Sequence, residues 1–479
     1  MALAADASPS PRGDHRDRLA LALMLVLTTL VMIVSGRWRP ALMELMGVDA
    51  AGHWAWLRST VIDGDLRFGN DYQGIMEPHL WPAHSEPLPT GHHANPFPIG
   101  TAIALAPLFL LTHALLLWTP LGAHFPADGF SLPYGVAAFW SQAIWAFTGL
   151  FAMHAWLRRW WPRGPALAAT LLVWLSTNAL YYTFPHVLNN HSIELAGMPL
   201  FLLAWARWQE RRSASRALTA GLASGALFLI RWQLVLWPAV LWTAEVLRGR
   251  SRRPIPRSLW FMPLPGLVLA LPQLAAWRVI YGEWLTIPQG GGYIHWSRPL
   301  IHLLLFSTNR GWITWTPLVA IGLLGIAWGW RRDRWLAAVF LAGLVCQLYI
   351  SAVVTDWHGA WGYGARRLAH CAPLVAWGLA ALLMSLTGGR RRPLLHASLV
   401  LSLFAVWNAL FLVQYYQHLI PYHRALTWHE LAGDKFHLAA SLERRFAVRN
   451  VAEFTAASRA ARESGDIART REALDLAAA

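Results

Sequence analysis

The chain of 479 residues is 56% hydrophobic and only 14% charged, whereas soluble domains carry about 25% charged residues. Its mean hydropathy is +0.36, and its repeated apolar runs of about 20 residues exclude a soluble protein and read as an all-α polytopic membrane protein. The net charge of +15 does not signify nucleic acid, because the arginines sit in short loops between apolar runs, where they set topology and meet anionic lipid headgroups.

A polar head, residues 1–18, precedes a first apolar run at 19–35. No small-x-small cleavage site follows it, so it reads as an uncleaved first membrane helix. The longest polar interruption comes next, at 47–100. It holds Asp49, Asp63, Asp65 and Asp71 together with His53, His79, His84, His92 and His93. Within it, AAGHWAWLRSTVIDG places Trp54, Leu57 and Val61 at helical spacing, the pattern of an amphipathic interfacial helix. Asp49 stands at the start of that helix, where a carboxylate serves either as a cap or as a reactive group at the membrane surface. Asp63 and Asp65 flank Gly64, a combination that also suits a plain turn.

Further apolar runs follow at 99–119, 132–156, 165–183, 191–206, 217–247, 258–280, 313–330, 335–354, 367–386 and 394–419. The 217–247 run is too long for one straight helix. Arg231 stands at its middle, so two short helices meeting at Arg231 are expected; an arginine at mid-bilayer would cost several kcal/mol. Eighteen arginines fall in five short loops, at 158–163, 207–216, 248–257, 331–334 and 390–392. All five share one side of the membrane if 217–247 crosses twice, and the basic head joins them if 99–119 does not cross. Pro96, Pro98 and Pro107 suit a bent segment in the outer leaflet. The expected organisation is a cytoplasmic head (1–18), a transmembrane domain (19–419) of about 11 crossings, with 36–131 as one external loop carrying interfacial helices, and an external tail (420–479) whose stretch HLAASLERRFAVRNVAEF is patterned as helix.

The external side gathers the polar residues suited to chemistry. NRGWITWTP (309–317) and DWHGAWGYGARRL (356–368) start outer helix ends; Gly359, Gly362 and Gly364 permit close backbone approach to a ligand. Arg310, Arg366 and Arg367 are natural bidentate phosphate ligands, with snorkelling to lipid headgroups as the plainer role. Arg231 joins them from the apex of the short-helix pair. His191 and Glu194 share one helix face, as substrate ligands or as a packing pair. His53, Trp54, Asn95, Trp357, His358, Trp361 and Tyr363 complete the candidate substrate contacts, although most of the 30 tryptophans serve interfacial belts. No metal motif is present. His92 and His93 are adjacent and point apart; a divalent cation gathered by His79, His84, His92 and His93 with Asp49 is the alternative to a metal-free site. Cys346 and Cys371 lie in apolar runs and read as core. There is no phosphate-binding P-loop, dinucleotide fingerprint or serine nucleophile elbow.

The order of these features resembles the GT-C superfamily of membrane glycosyltransferases, which includes the protein O-mannosyltransferases and the aminoarabinose transferases of lipid A. The resemblance rests on GVDAAGHWAWLRS after helix one, NPFPIGTAIALAPLFLL, GLASGALFLIRWQ with its apical arginine, and the late loops FSTNRGWITWTP and DWHGAWGYGARRL. It covers most of 19–419. It implies a sugar on a polyprenyl phosphate as donor, an envelope lipid, glycan or protein as acceptor, and a catalytic carboxylate at Asp49. Many relatives carry two adjacent acidic residues there, whereas Ala50 follows Asp49 here, which keeps Asp63 and Asp65 as catalytic candidates. The implied reaction is an inverting transfer at the external face of the bacterial inner membrane, without a cofactor, with Arg231, Arg310, Arg366 and Arg367 on the donor phosphate. A flippase for a lipid-linked sugar and a non-catalytic envelope-assembly subunit are the alternatives. A transferase requires Asp49 to face a cavity with Arg366 or Arg310 within about 10 Å, the span of a phosphosugar held for attack.

Overall fold

The computed structural model describes residues 11–34, 48–75, 86–184, 188–252, 255–360, 362–438 and 440. His79, His84, Trp361 and the tail beyond 440, expected to be helical, lie outside the described residues. Helix dominates, and one isolated antiparallel bridge joins Ile294 to Val354. The helices are α1 (Pro11–Val34), α2 (Val48–Arg58), α3 (Gly69–Ile75), α4 (Gly100–Trp118), α5 (Leu132–Leu157), α6 (Arg163–Ser176), α7 (Asn178–Thr183), α8 (His191–Glu210), α9 (Ala214–Ile230) and α10 (Leu236–Arg252). They continue as α11 (Arg257–Phe261), α12 (Pro263–Tyr281), α13 (Ile301–Phe306), α14 (Trp312–Trp315), α15 (Leu318–Arg332), α16 (Arg334–Ala352), α17 (Ala372–Thr387), α18 (Arg391–Leu401), α19 (Leu403–Tyr416) and α20 (Trp428–Leu431).

Among the described residues, six helices are long and apolar enough to cross a membrane, and α9 is apolar but shorter. This is fewer than the expected eleven crossings, and the reason is local. Several apolar runs are interrupted by breaks. The 165–183 run divides at Thr177, whose hydroxyl caps α7 by accepting from the Ala179 amide. The 217–247 run divides at Arg231, which is extended, and resumes through the 3-10 turn Trp232–Val235. The run starting at 313 divides at Thr316-Pro317, between α14 and α15.

The first unit runs to Val406, and its two ends differ in charge. Arg159 and Arg216 meet Glu210 at 2.9 and 3.5 Å, and Arg212 meets Glu245 at 3.0 Å. Arg332 lies over the Trp161 ring at 5.3 Å, Arg248 over the Trp335 ring at 5.7 Å, and Leu394 packs on Gly164. These contacts tie all five arginine-rich loops into one end. Asp17 of α1 joins the same end, bound to Arg163 and 3.3 Å from His154. The opposite end is where α8, α10 and α17 begin and where α9 and α16 finish.

α4 starts against Leu229 and Ile230 at the finish of α9. The Trp145 indole donates to the Ala104 carbonyl at 2.8 Å, and His113 Nδ1 lies 2.5 Å from the Tyr134 hydroxyl. Successive residues of α4 therefore meet positions nearer the start of α5. The helix runs away from the basic end, although its 19 residues are long and apolar enough to span. Pro107 sits inside it without ending it.

Close backbone approach holds α15 on α17. A Cβ on Gly378 would sit 2.0 Å from the Gly322 carbonyl oxygen, and one on Gly325 would sit 2.1 Å from that of Gly378; small residues at such crossings let two helices approach in lipid, where packing drives association. The second unit begins at Trp407. Its lysine, Lys435, donates to Gln414 at 2.8 Å and to the Leu431 carbonyl, and stands over the rings of Trp407 and Phe411.

Replacing Gly378 by valine should cost about 1–3 kcal/mol through overpacking. Thermal unfolding in detergent reads this as a lowered midpoint; an unchanged midpoint would refute the close α15–α17 contact.

Candidate functional site

α2 is fixed by its apolar face. Ala50, Ala51, Trp54, Ala55 and Leu57 are buried with Phe68, Tyr72, Phe109 and Tyr134. The indoles are tethered as well: Trp54 donates to the Gly129 carbonyl at 2.9 Å and Trp56 to the Phe97 carbonyl at 2.8 Å. Asn95, fully buried, donates to the Gly52 carbonyl at 2.8 Å. With that face anchored, Asp49 and His53, four residues apart and so on one face, line a cleft of about 150 Å³ at the end of the bundle away from the basic loops. Asn190, His191, Arg231, Tyr293, Asp356, Arg366 and Arg367 also line it.

Three arginine–carboxylate pairs organise this cleft. Arg366 Nη1 lies 2.5 Å from Asp49 Oδ2, and the Asp49 side chain is 38% exposed. The stem of Arg366 passes two glycines: a Cβ on Gly359 would meet its Cγ at 2.8 Å and one on Gly362 its Cδ at 2.4 Å. Gly359 also has φ +74°, in the left-handed region that glycine favours. Arg231 Nη1 lies 3.0 Å from Glu194 Oε1, and the Glu194 side chain has no exposed surface. His191 Nδ1 and His370 Nδ1 stand 3.4 and 3.7 Å from the other Glu194 oxygen. Arg367 binds the Asp356 carboxylate, the Asp356 carbonyl at 2.9 Å and the Tyr293 hydroxyl at 2.7 Å. Tyr293 in turn donates to Asp356 at 2.6 Å. Segment 293–295 and the end of α16 are clasped by the Ile294–Val354 bridge. The His295 amide donates to the Val353 carbonyl at 2.7 Å, and the Thr355 amide to that of Tyr293 at 2.9 Å.

Burial pushes the Asp49 carboxyl up, but Arg366 outweighs it and holds the group below its ordinary value. Burial holds His53 down to about 4, so its imidazole is neutral near pH 7. Burial likewise raises Asp356, and Arg367 with Tyr293 more than reverses this, to about 2. The cleft therefore presents ionised carboxylates and guanidinium groups beside an uncharged imidazole.

The structure places the other sequence candidates apart from the cleft lining. Arg310 is 3% exposed and has φ +64°. Its Nε donates to the Gly362 carbonyl at 2.6 Å and its Nη1 to Asn309 at 2.7 Å, so it braces the glycine-rich loop. Tyr363 is buried, stacked on Tyr181 at 5.0 Å and edge-on to Trp315 at 5.8 Å. Trp54 and Asn95 are buried, and Trp357 meets His358 edge-on at 5.4 Å. Asp63 pairs with Arg58 at 2.5 Å and accepts from Asn70 at 2.8 Å. Asp65 accepts from Ser59 and from the Arg67 amide, both at 2.9 Å, in a local turn. Among the described residues, no three His, Cys, Asp or Glu side chains converge as metal ligands.

Sequence reasoning passed over three groups that organise the cleft, one of them Asp356, which it read only as the start of the glycine-rich loop. Tyr293 follows three glycines in a loop, and His370 sits within an apolar run. Only the glycine triplet and the polarity of a lone histidine marked these two.

The fold formed by these helices is shared with a solved structure of low sequence identity. The chain is similar to the crystal structure of ArnT from Cupriavidus metallidurans in the apo state, with a TM-score of 0.53 and 13% identity over 96% of this chain and 76% of that one. The Archaeoglobus fulgidus oligosaccharyltransferase in its apo form gives a TM-score of 0.45 and 14% identity over 88% of this chain and 54% of that one. No family model and no curated protein matches the chain.

Asp71 offers a test of the wall behind α2. Its side chain is fully buried, Oδ1 accepts from Arg58 at 3.0 Å, and Oδ2 has no partner among the described residues. Burial raises its carboxyl from 3.8 to about 6, against the pull of Arg58. A raised folded-state value adds stability below about pH 4 and loses it as pH rises through about 6. The loss is on the order of 3 kcal/mol, at about 1.4 kcal/mol per pKa unit. Asp71→Asn should flatten this part of the stability–pH curve, read by melting between pH 4 and 8; an unaltered curve would exclude Asp71 as its source.

Proposed function

We propose that the protein is a membrane glycosyltransferase that moves a sugar from a polyprenyl-phosphate donor to an envelope lipid, glycan or protein. The observation that carries this reading is the meeting of Asp49 with Arg231, Arg366 and Arg367 in one cleft, at the end of the bundle opposite the basic loops. By the positive-inside rule the basic end is cytoplasmic. The cleft then opens on the external face of the bacterial inner membrane, and α4 lies on that side without crossing.

In this reading the acceptor hydroxyl or amine gives its proton to Asp49 as its lone pair attacks the anomeric carbon. The bond from that carbon to the phosphate oxygen breaks, and its electrons pass to the departing polyprenyl phosphate. Attack opposite the leaving group inverts the anomeric centre. A phosphate is already a good leaving group, so the protein's task is to stabilise the charge that develops on it, which guanidinium groups held at the cleft do well. His53, neutral and next to Asp49, adds no competing positive charge. Asp49 acts as the base in this reading, and Asp63 and Asp65 are engaged outside the cleft.

Asp49→Asn should lower transfer by about 10²–10⁴-fold, the usual contribution of a general base, with the protein still folded. Mass spectrometry of envelope lipids from a deletion strain should show an accumulated polyprenyl-phosphate sugar that wild-type protein consumes and the Asp49 variant does not. Full transfer by Asp49→Asn would remove Asp49 from the mechanism. Unchanged donor levels in the deletion strain would argue against the transferase itself.

A further inference from the structure

Each arginine that lines the cleft already faces a carboxylate: Arg366 faces Asp49, Arg231 faces Glu194, and Arg367 faces Asp356. An entering phosphate must therefore draw a guanidinium from a partner. The three pairs differ in what separation would leave behind. Parting Arg231 from Glu194 leaves a carboxylate with no exposed surface, and removing one partner of a buried pair is costly. Parting Arg367 from Asp356 breaks contacts to the carboxylate, the Asp356 carbonyl and Tyr293 together. Arg366 is held to Asp49 by one ion pair, and that carboxylate is 38% exposed, so water can solvate it on release.

We propose that Arg366 and Asp49 form a latch opened by the donor phosphate: the phosphate takes the Arg366 guanidinium and thereby frees Asp49 to accept the proton of the acceptor. The latch rests on the polyprenyl-phosphate reading given above. It imposes an order of events. A carboxylate bound to a guanidinium is a weak proton acceptor, so Asp49 becomes an effective base after the donor is in place. Gly359 and Gly362 give the Arg366 stem its passage through the loop, which keeps the guanidinium at the cleft whichever anion it holds. Glu194 and Asp356 act differently, as positioning residues that keep Arg231 and Arg367 fixed while Arg366 changes partner.

The test is binding of a polyprenyl phosphate without its sugar to the purified full-length protein in lipid nanodiscs. Wild type should bind it, and the parent polyprenol, which lacks the phosphate, should bind far more weakly. Asp49→Asn removes the competitor for Arg366 and should bind the phosphate about tenfold more tightly, the scale of a close charge pair. Asp49→Ala should show the same gain, and misfolded protein cannot produce a gain in affinity. Arg366→Ala should lose most of the binding, and adding Asp49→Asn in that background should restore none of it. Equal or weaker binding by both Asp49 variants, with wild type binding normally, would overturn the latch and leave the donor reading standing. If wild type does not distinguish the phosphate from the polyprenol, the donor reading falls and the latch with it.

Discussion

An ionised group inside an apolar helix bundle is tolerable where an opposite charge answers it. That requirement shapes both ends of this protein. At the basic end, Glu210, Glu245 and Asp17 are each shared between two basic groups from different parts of the chain. Those carboxylates neutralise part of a positive end and tie the loops together. At the cleft end the same pairing occurs between residues far apart in sequence: Asp49 with Arg366, and Glu194 with Arg231. The cleft is consequently close to electrically balanced, so an anion entering it would have to rearrange that balance.

The second constraint is backbone hydrogen bonding. A break in a helix at membrane depth exposes amide and carbonyl groups, and membranes tolerate this where the freed groups are buried in protein or line a polar cavity. The break at Arg231 occurs at the cleft, and the 3-10 turn Arg366–Cys371 supplies Arg366, Arg367 and His370 where α17 is about to start. The cost of interrupted helices is thus concentrated where their ends are put to use. It also explains why fewer helices reach full spanning length than the apolar runs suggest.

Much of this arrangement was legible in the sequence. The arginine spacing marked five loops that the structure joins at one end, and Arg231 at the centre of an overlong apolar run marked a break. Asp49 was conspicuous as the first carboxylate of the polar interruption at 47–100. What local pattern does not encode is which face a side chain takes once distant segments pack. Trp54 belongs to the same helix as Asp49 but to its buried face. Asp63 and Asp65 satisfied both a catalytic and a turn reading, and their local partners, Arg58, Asn70 and Ser59, favour the turn. Arg310 resembled a phosphate ligand, yet its left-handed backbone aims it at a neighbouring carbonyl. Tyr293 and Asp356 meet across 63 residues, and no spacing rule links them.

The two neighbouring arginines of the late loop show how the surroundings divide labour between identical side chains. Arg367 is only 7% exposed and is enclosed by Asp356 and Tyr293, and the Tyr293 carbonyl is held by the Thr355 amide just beyond the end of α16. Moving it would disturb several contacts at once, so it serves as a fixed charge. Arg366, one residue earlier, projects past two glycines that offer no side chain to confine it. Its guanidinium meets Asp49 through a single ion pair, whereas Arg367 also bonds the Asp356 carbonyl and Tyr293. A fixed charge and an exchangeable one thereby stand side by side, and the difference comes from the groups around each arginine rather than from the residue itself. On the proposed reading, in which the cleft holds a phosphate before the bond breaks and releases it afterwards, one charge defines the position and the other answers the change.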